Sequence, residues 1–347
     1  MFRKIVVCPD SFKGCLPARE VAFIIAEKLR ELHPETEIVE LPLADGGEGT
    51  LEILGENGYP VVREVETVDP LGRCFRANYN TDLSGKRAFI ESARVIGLPL
   101  LSPSERNPLI ATSRGLGEVI MDAVNLSCAE ITVSLGGSAT CDGGLGMLDA
   151  IEGDLSEVVF KIVCDVKNPL LGENGAVKVF APQKGASIDD LPLLEKRMED
   201  FVRATIERGL CKVSDAWREG AGAAGGLGFA FQTYLNAETI SGIDFIMKLT
   251  DFDKQLKDAD LIITGEGKLD RQSLMGKVVG GVLKSAGKRG LPVVAFGGIV
   301  EDKEQLLEAG LAEAYEISCP DLTFEENMKR DVVRENIRKK ITEVFLH

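Results

Sequence analysis

The chain opens on an unbroken apolar run, "KIVVC" (4–8), short and β-branched, and then changes period. In "PAREVAFIIAEKLREL" (17–32), Val21, Ile24, Ile25, Leu29 and Leu32 fall on one helical stripe, with Pro17 in the first turn, where a missing N–H is tolerated. "EIVELPL" (37–43) returns to a strand. These segments predict β-loop-α-β, the opening of a parallel sheet. The far end of the chain has the same character. It predicts strands at 259–265, 291–298 and 312–318, a helix over 276–290 and a last amphipathic helix over 323–346. Two strands from the front and three from the back predict one five-stranded, doubly wound, flavodoxin-like sheet.

The middle has a different rhythm. "VVREVETV", "RCFRANYN" and "KRAFIES" (within 61–92) alternate like short antiparallel strands around the turn "DPLG". A helix at 115–125, strands at 130–135 and 159–165, and helices over 189–209 and 225–237 follow. The expected organisation is a flavodoxin-like parallel α/β domain from residues 1–64 plus 259–347. A second mixed α/β domain, 65–258, is inserted into it, with the active site in the cleft between them.

Composition narrows the chemistry mainly by exclusion. The net charge is −15, and no basic run exceeds "RKK" (338–340), so nucleic acid is a poor partner. The two histidines are His33 and His347, which removes Ser-His-Asp triads, Cys-His pairs and histidine metal sites. Acid, base and metal work therefore fall to Asp, Glu and Lys. Eight scattered cysteines without a C-x-x-C read as thiols in a reducing compartment. "MFRKIVVCPDSF" reads as a strand and not a signal peptide, and no segment reaches membrane-span length, so a cytoplasmic protein is expected.

The 37 glycines cluster. They gather in "PLADGGEGT" (42–50), "SLGGSATCDGGLGML" (134–148), "GAGAAGGLG" (220–228) and "ITGEGKLDRQSLMGK" (263–277). In an open parallel sheet, ligands sit beyond the carboxyl ends of the strands at the topological switch point. The loops "PDSFKG" (9–14), "ADGGEGT" and "GEGKLDRQS" (265–273) would face that crevice. Glycine-rich turns there present bare N–H groups to phosphate or carboxylate oxygens. Five glycines in 134–148 suggest close backbone approach of a ligand, with Asp142 as a base or Mg2+ ligand. A tight structural turn is the plainer reading of any one such loop. None matches a P-loop, and no G-x-G-x-x-G follows the first strand.

Six separated blocks, in order along nearly the whole chain, resemble the signature blocks of the type I glycerate kinases. They are "PDSFKG", "ADGGEGT", "GGSATCDGG", "CDVKNPLLGENGA", "GAGAAGGLG" and "ITGEGKLDRQSLMGK". The resemblance implies ATP-dependent phosphorylation of D-glycerate, usually at the 2-hydroxyl to give 2-phosphoglycerate, with Mg2+. On these blocks the expected catalytic residues are Asp10, Lys13, Asp45, Asp142 and Asp165, with Asp142 and Asp165 also as metal ligands. Substrate and phosphate contacts are expected from Ser11, Gly46, Gly47, Glu48, Gly136, Gly137, Ser138, Thr140, Gly265, Glu266, Asp270, Gln272 and Lys277. Asp45 and Asp270 have helix capping as their plainer role. Arg94 and Arg114 are candidates for the glycerate carboxylate, with surface salt bridges as the competing reading. Trp217 is expected in core or hinge packing.

Two departures stand out: Cys141 replaces the family's usual asparagine, and the stretch between Ala150 and Val163 is shortened. The protein is expected to be a monomer or homodimer. The alternatives are a non-catalytic sugar-acid sensor, or a Mg2+-dependent phosphatase acting through Asp10. The phosphatase lacks its second aspartate, because Phe12 stands in that place.

Overall fold

The computed structural model describes residues 2–12, 14–46 and 49–346, the side chain of Leu51 excepted. The strands among them are β1 (Lys4–Val7), β2 (Glu37–Glu40), β3 (Val61–Val68), β4 (Cys74–Thr81), β5 (Arg87–Glu91), β6 (Glu130–Ser134), β7 (Val159–Val163), β8 (Glu238–Ile240), β9 (Leu261–Leu269), β10 (Val293–Val300) and β11 (Glu313–Glu316). They belong to two compact units, Met1–Asn57 with Ser241–His347, and Gly58–Ile240. Residues 58–64, expected in the first unit, fall in the second, where β3 begins at Val61. The first unit gains 241–258, expected in the insert, as the helices Gly242–Leu249 and Phe252–Gln255.

In the first unit the sheet runs β11-β10-β9-β1-β2 with every pair parallel. β1 shows why its sequence is continuously apolar: successive side chains enter opposite faces, and both faces are covered. Ile5 and Val7 pack with Val21, Ile25, Leu29, Ile337 and Ile341 from the helices Ala18–Leu32 and Arg330–Phe345. Val6 and Cys8 pack on the other side with Ile246, Val279 and Val282 from Gly242–Leu249 and Val278–Gly287. The last helix is shorter than its pattern predicts. A capping box at Thr323 starts a separate turn, Phe324–Asn327, and Lys329 is extended before Arg330.

"GEGKL", expected in a loop, is strand. Lys268 and Leu269 stay in register with Ile299 and Val300, so β9 and β10 run on together past the end of β1. The second unit is a mixed sheet, β3-β4-β5-β6-β7-β8, antiparallel from β3 to β5 and parallel from β5 to β8. The helix Arg114–Asn125 covers one face with Leu116, Val119 and Ile120.

Candidate active site

In the first unit, polar groups gather where β1 ends beside β9. The backbone beyond β1 stays paired: Cys8 N donates to Ile263 O at 2.7 Å and Asp10 N to Gly265 O at 2.8 Å. Gly265 must be glycine, because a Cβ there would overlap the Phe296 carbonyl oxygen. Asp10 is thereby fixed and 1% exposed, with its Oδ1 accepting from Ser11 N at 2.6 Å. Ser11 is equally buried, and its Oγ has no partner among the described residues. Glu266 is buried on the neighbouring strand, and the half-buried Lys277 brings its Nζ to 3.8 Å from Glu266 Oε2. Of the expected residues, the structure therefore brings Asp10, Ser11, Gly265, Glu266 and Lys277 together. Lys13, Gly47 and Glu48 lie outside the described residues.

Asp45 and Gly46 are partly buried after β2, where Gly46 takes a φ of +94°. Gly242 is obligatory opposite them, since its Cβ would overlap the Asp45 carbonyl oxygen. Asp270 has the capping role: its Oδ1 accepts from Gln272 N at 2.8 Å and caps the turn Arg271–Leu274. Gln272 itself is exposed.

In the second unit, the glycine-rich segment after β6 divides in two. Gly136 and Gly137 are exposed, and a Cβ on Gly136 would meet nothing within 4 Å. The other three glycines are packing requirements. Gly143 and Gly144 have φ of +71° and +83°, and a Cβ on them would stand 2.9 Å from Phe201 Cδ1 and 2.7 Å from Ala230 Cβ respectively. A Cβ on Gly146 would overlap Thr112 Oγ1. Five glycines are thus not five points of ligand approach: two remain available, and three let the chain pack.

Asp142 also differs from expectation. Its Oδ2 accepts from Ser113 N and Ser113 Oγ, both at 2.8 Å, and from Gly146 N at 3.2 Å, while Oδ1 accepts from Gly144 N at 3.0 Å. With four donors satisfied, this carboxylate organises the loop and has little lone-pair capacity left for a metal. Thr140 is fully buried, its Oγ1 without a partner among the described residues, and the nearly buried Ser138 accepts at Oγ from Lys184. Asp165 is exposed. Among the described residues, no group of three or more His, Cys, Asp or Glu gathers to hold a metal.

"GAGAAGGLG" is the counterpart of this loop. Ala224, Gly225 and Gly226 take left-handed φ inside the helix Ala223–Tyr234, and Gly225 O accepts from Gly143 N at 3.0 Å. A Cβ on Gly225 would overlap the Thr140 carbonyl, and one on Gly226 would stand 2.8 Å from Gly143 Cα. Its glycines serve backbone-on-backbone packing.

Lys184 was not anticipated. It is 3% exposed, and its ammonium donates to Ser138 Oγ at 3.0 Å and Thr140 O at 2.7 Å. Burial lowers its pKa from 10.5 to about 8, against smaller opposing effects of Cys141 and Asp142. Through Ser138 its ammonium is tied to the chain that follows the exposed Gly136–Gly137 segment. "APQKGAS" carries no periodic signal for this.

Cys141 is buried with Leu170, Met198 and Phe229, and burial pushes its thiol up to about 11. Arg94 pairs with Glu91 at 3.0 Å and Arg114 with Glu118 at 2.9 Å, so both are surface salt bridges. Trp217, expected in core or hinge packing, is 56% exposed against Gly172. Among the described residues, no helix is long and apolar enough to cross a membrane.

Comparison with known proteins adds a family. The model of the "Glycerate kinase family" matches residues 5–156 and 149–346. The "Glycerate 2-kinase" of Escherichia coli (strain K12) is 37% identical over 329 residues, covering 86% of each chain. The "Glycerate kinase" of Bacillus subtilis (strain 168) is 37% identical over 345 residues, covering 90% of each. A crystal structure from Salmonella typhimurium LT2, assigned as glycerate kinase 2, superposes with a TM-score of 0.83 at 35% identity, covering 99% of this chain and 97% of that one.

Proposed function

The chain belongs to the glycerate kinase family, and on that premise we propose that it transfers the γ-phosphoryl group of ATP to D-glycerate, at the 2-hydroxyl, with Mg2+. The observation that carries this reading is the group gathered where β1 ends beside β9: Asp10, Ser11, Glu266 and Lys277. Counted along its own unit, the sheet order is 2-1-3-4-5, which supports the flavodoxin-like reading and makes this adjacency the switch point.

Phosphoryl transfer needs an in-line nucleophile and neutralised charge more than it needs covalent chemistry. The glycerate hydroxyl oxygen bonds to the γ-phosphorus as the bond to the bridging oxygen of ADP breaks. Asp10, rigid and buried, is our candidate to take the hydroxyl proton, with Asp45 supporting. Lys277 is our candidate to offset charge on the transferred group, with Lys13 a second candidate from its sequence block, and the exposed backbone of Gly136 and Gly137 suits an anionic oxygen. Hard oxygen donors fit Mg2+ carried largely by the nucleotide's phosphates, where it would supply charge neutralisation, with the exposed Asp165 a better candidate ligand than Asp142. Asp142 and Lys184 act as positioning residues.

A coupled assay of ADP release with ATP and D-glycerate tests the reaction, and NMR of the product distinguishes 2- from 3-phosphoglycerate. Lys13→Ala is expected to cost at least about 3 kcal/mol in kcat/KM if it is a preorganised donor. ATP hydrolysis indifferent to glycerate, or glycerate binding without turnover, would favour the phosphatase or the sensor instead.

A further inference from the structure

We propose that the first unit carries the site for the purine and ribose of the nucleotide, in a cavity of about 310 Å³ beyond the carboxyl edge of its sheet. This rests on the kinase reading and adds to it which part of the protein takes the base. Two kinds of side chain line the cavity. Ser11, Glu266 and Lys277, gathered where β1 ends beside β9, are polar. Phe12, Ile317, Met328 and Val333 are apolar. Its volume lies at the low end of the roughly 300–1,000 Å³ typical of small-molecule sites. A three-carbon hydroxy acid has no apolar surface to fill such walls, whereas a flat heteroaromatic base does.

Two polar observations sharpen the choice. Ser11 is 1% exposed and lines this cavity, yet its Oγ has no partner among the described residues. A buried hydroxyl without a partner costs about 1–3 kcal/mol, which a ligand oxygen would relieve. Asn336, on the helix Arg330–Phe345, also lines the cavity, and its one side-chain hydrogen bond among the described residues, from Nδ2 to Asn327 Oδ1, is long at 3.4 Å. A carboxamide so loosely held offers the donor and acceptor pair that matches an adenine edge. The arrangement therefore orders the nucleotide with its base between Phe12 and Met328, and its phosphates running out past Ser11 towards Lys277.

The test titrates Mg·ADP, magnesium tripolyphosphate and D-glycerate calorimetrically into the parent, Met328→Trp, which adds bulk to the apolar lining, and Asn336→Leu. Thermal unfolding reports on the fold of each variant. In both variants ADP is expected to weaken by about tenfold or more, with tripolyphosphate and glycerate within about twofold of the parent, since only the base loses its seat. ADP binding unchanged in folded variants, or tripolyphosphate weakened as much as ADP, overturns the proposal. If Met328→Trp does not fold, Asn336→Leu alone decides. A parent that binds ADP in this cavity but never phosphorylates glycerate counts against the kinase reading alone, and a parent that binds no nucleotide overturns both.

Discussion

Replacing Lys184 by methionine keeps most of the side chain's volume and removes a charge that burial disfavours. A pKa lowered from 10.5 to about 8 corresponds to about 3 kcal/mol by which the folded protein resists the ammonium. Against this stand two bonds, to Ser138 Oγ at 3.0 Å and Thr140 O at 2.7 Å, each worth about 1.5–3 kcal/mol when one partner is charged. The two sums nearly cancel, so Lys184→Met is expected to change stability by no more than about 2 kcal/mol in either direction.

Activity should not cancel. If the buried charge sets the shape and potential of the segment it binds at Ser138 and Thr140, kcat/KM falls by about 10²–10³, as when a preorganised donor is lost. The pH dependence supplies a second readout. Below pH 8 both folded and unfolded chains hold the Lys184 proton, and the burial penalty is fully present. Between pH 8 and the unfolded pKa the folded chain releases it first, so the penalty is relieved and this group's contribution to stability rises with pH. Activity should fall over the same window as the charge disappears. In Lys184→Met both trends vanish. Denaturant melts and the coupled kinase assay from pH 6.5 to 9.5 measure them. A methionine variant with the parent's kcat/KM, or one whose lost activity merely follows lost stability, refutes the argument.

Asp142→Asn keeps the shape but turns an amide NH2 towards at least one of four donors; a stability loss of about 2–3 kcal/mol is expected, seen as a lowered Tm, with reduced kcat following from the disordered loop. Unchanged Tm with lowered kcat would restore Asp142 to direct chemistry. Gly136→Ala meets open space and should leave stability within about 0.5 kcal/mol while raising the KM for an anionic substrate. Gly144→Ala, at φ +83° and 2.7 Å from Ala230 Cβ, should cost about 2–4 kcal/mol in a denaturant titration. Equal behaviour of the two alanine variants would dissolve the division of this loop into a ligand-facing and a packed half.

Whatever depends on neighbours along the chain was legible in the sequence. "KIVVC" reads as a doubly buried strand because alternate residues enter two covered faces. "AREVAFIIAEKLREL" reads as a helix because Val21, Ile25 and Leu29 recur at its period. Asp10 and Glu266 were recoverable as site candidates because each ends or continues a recognisable strand at a glycine-bearing turn. The tertiary structure decided what each glycine and each polar side chain of those turns is for. Gly225 is fixed by a carbonyl at Thr140, Asp142 by amides around Ser113 and Gly146, and Lys184 by two oxygens more than forty positions away. Local periodicity records which face of an element is buried. It holds no record of which distant backbone comes within contact of a missing Cβ, or of which donors have already filled a carboxylate's lone pairs, because both are fixed only once the chain has closed on itself.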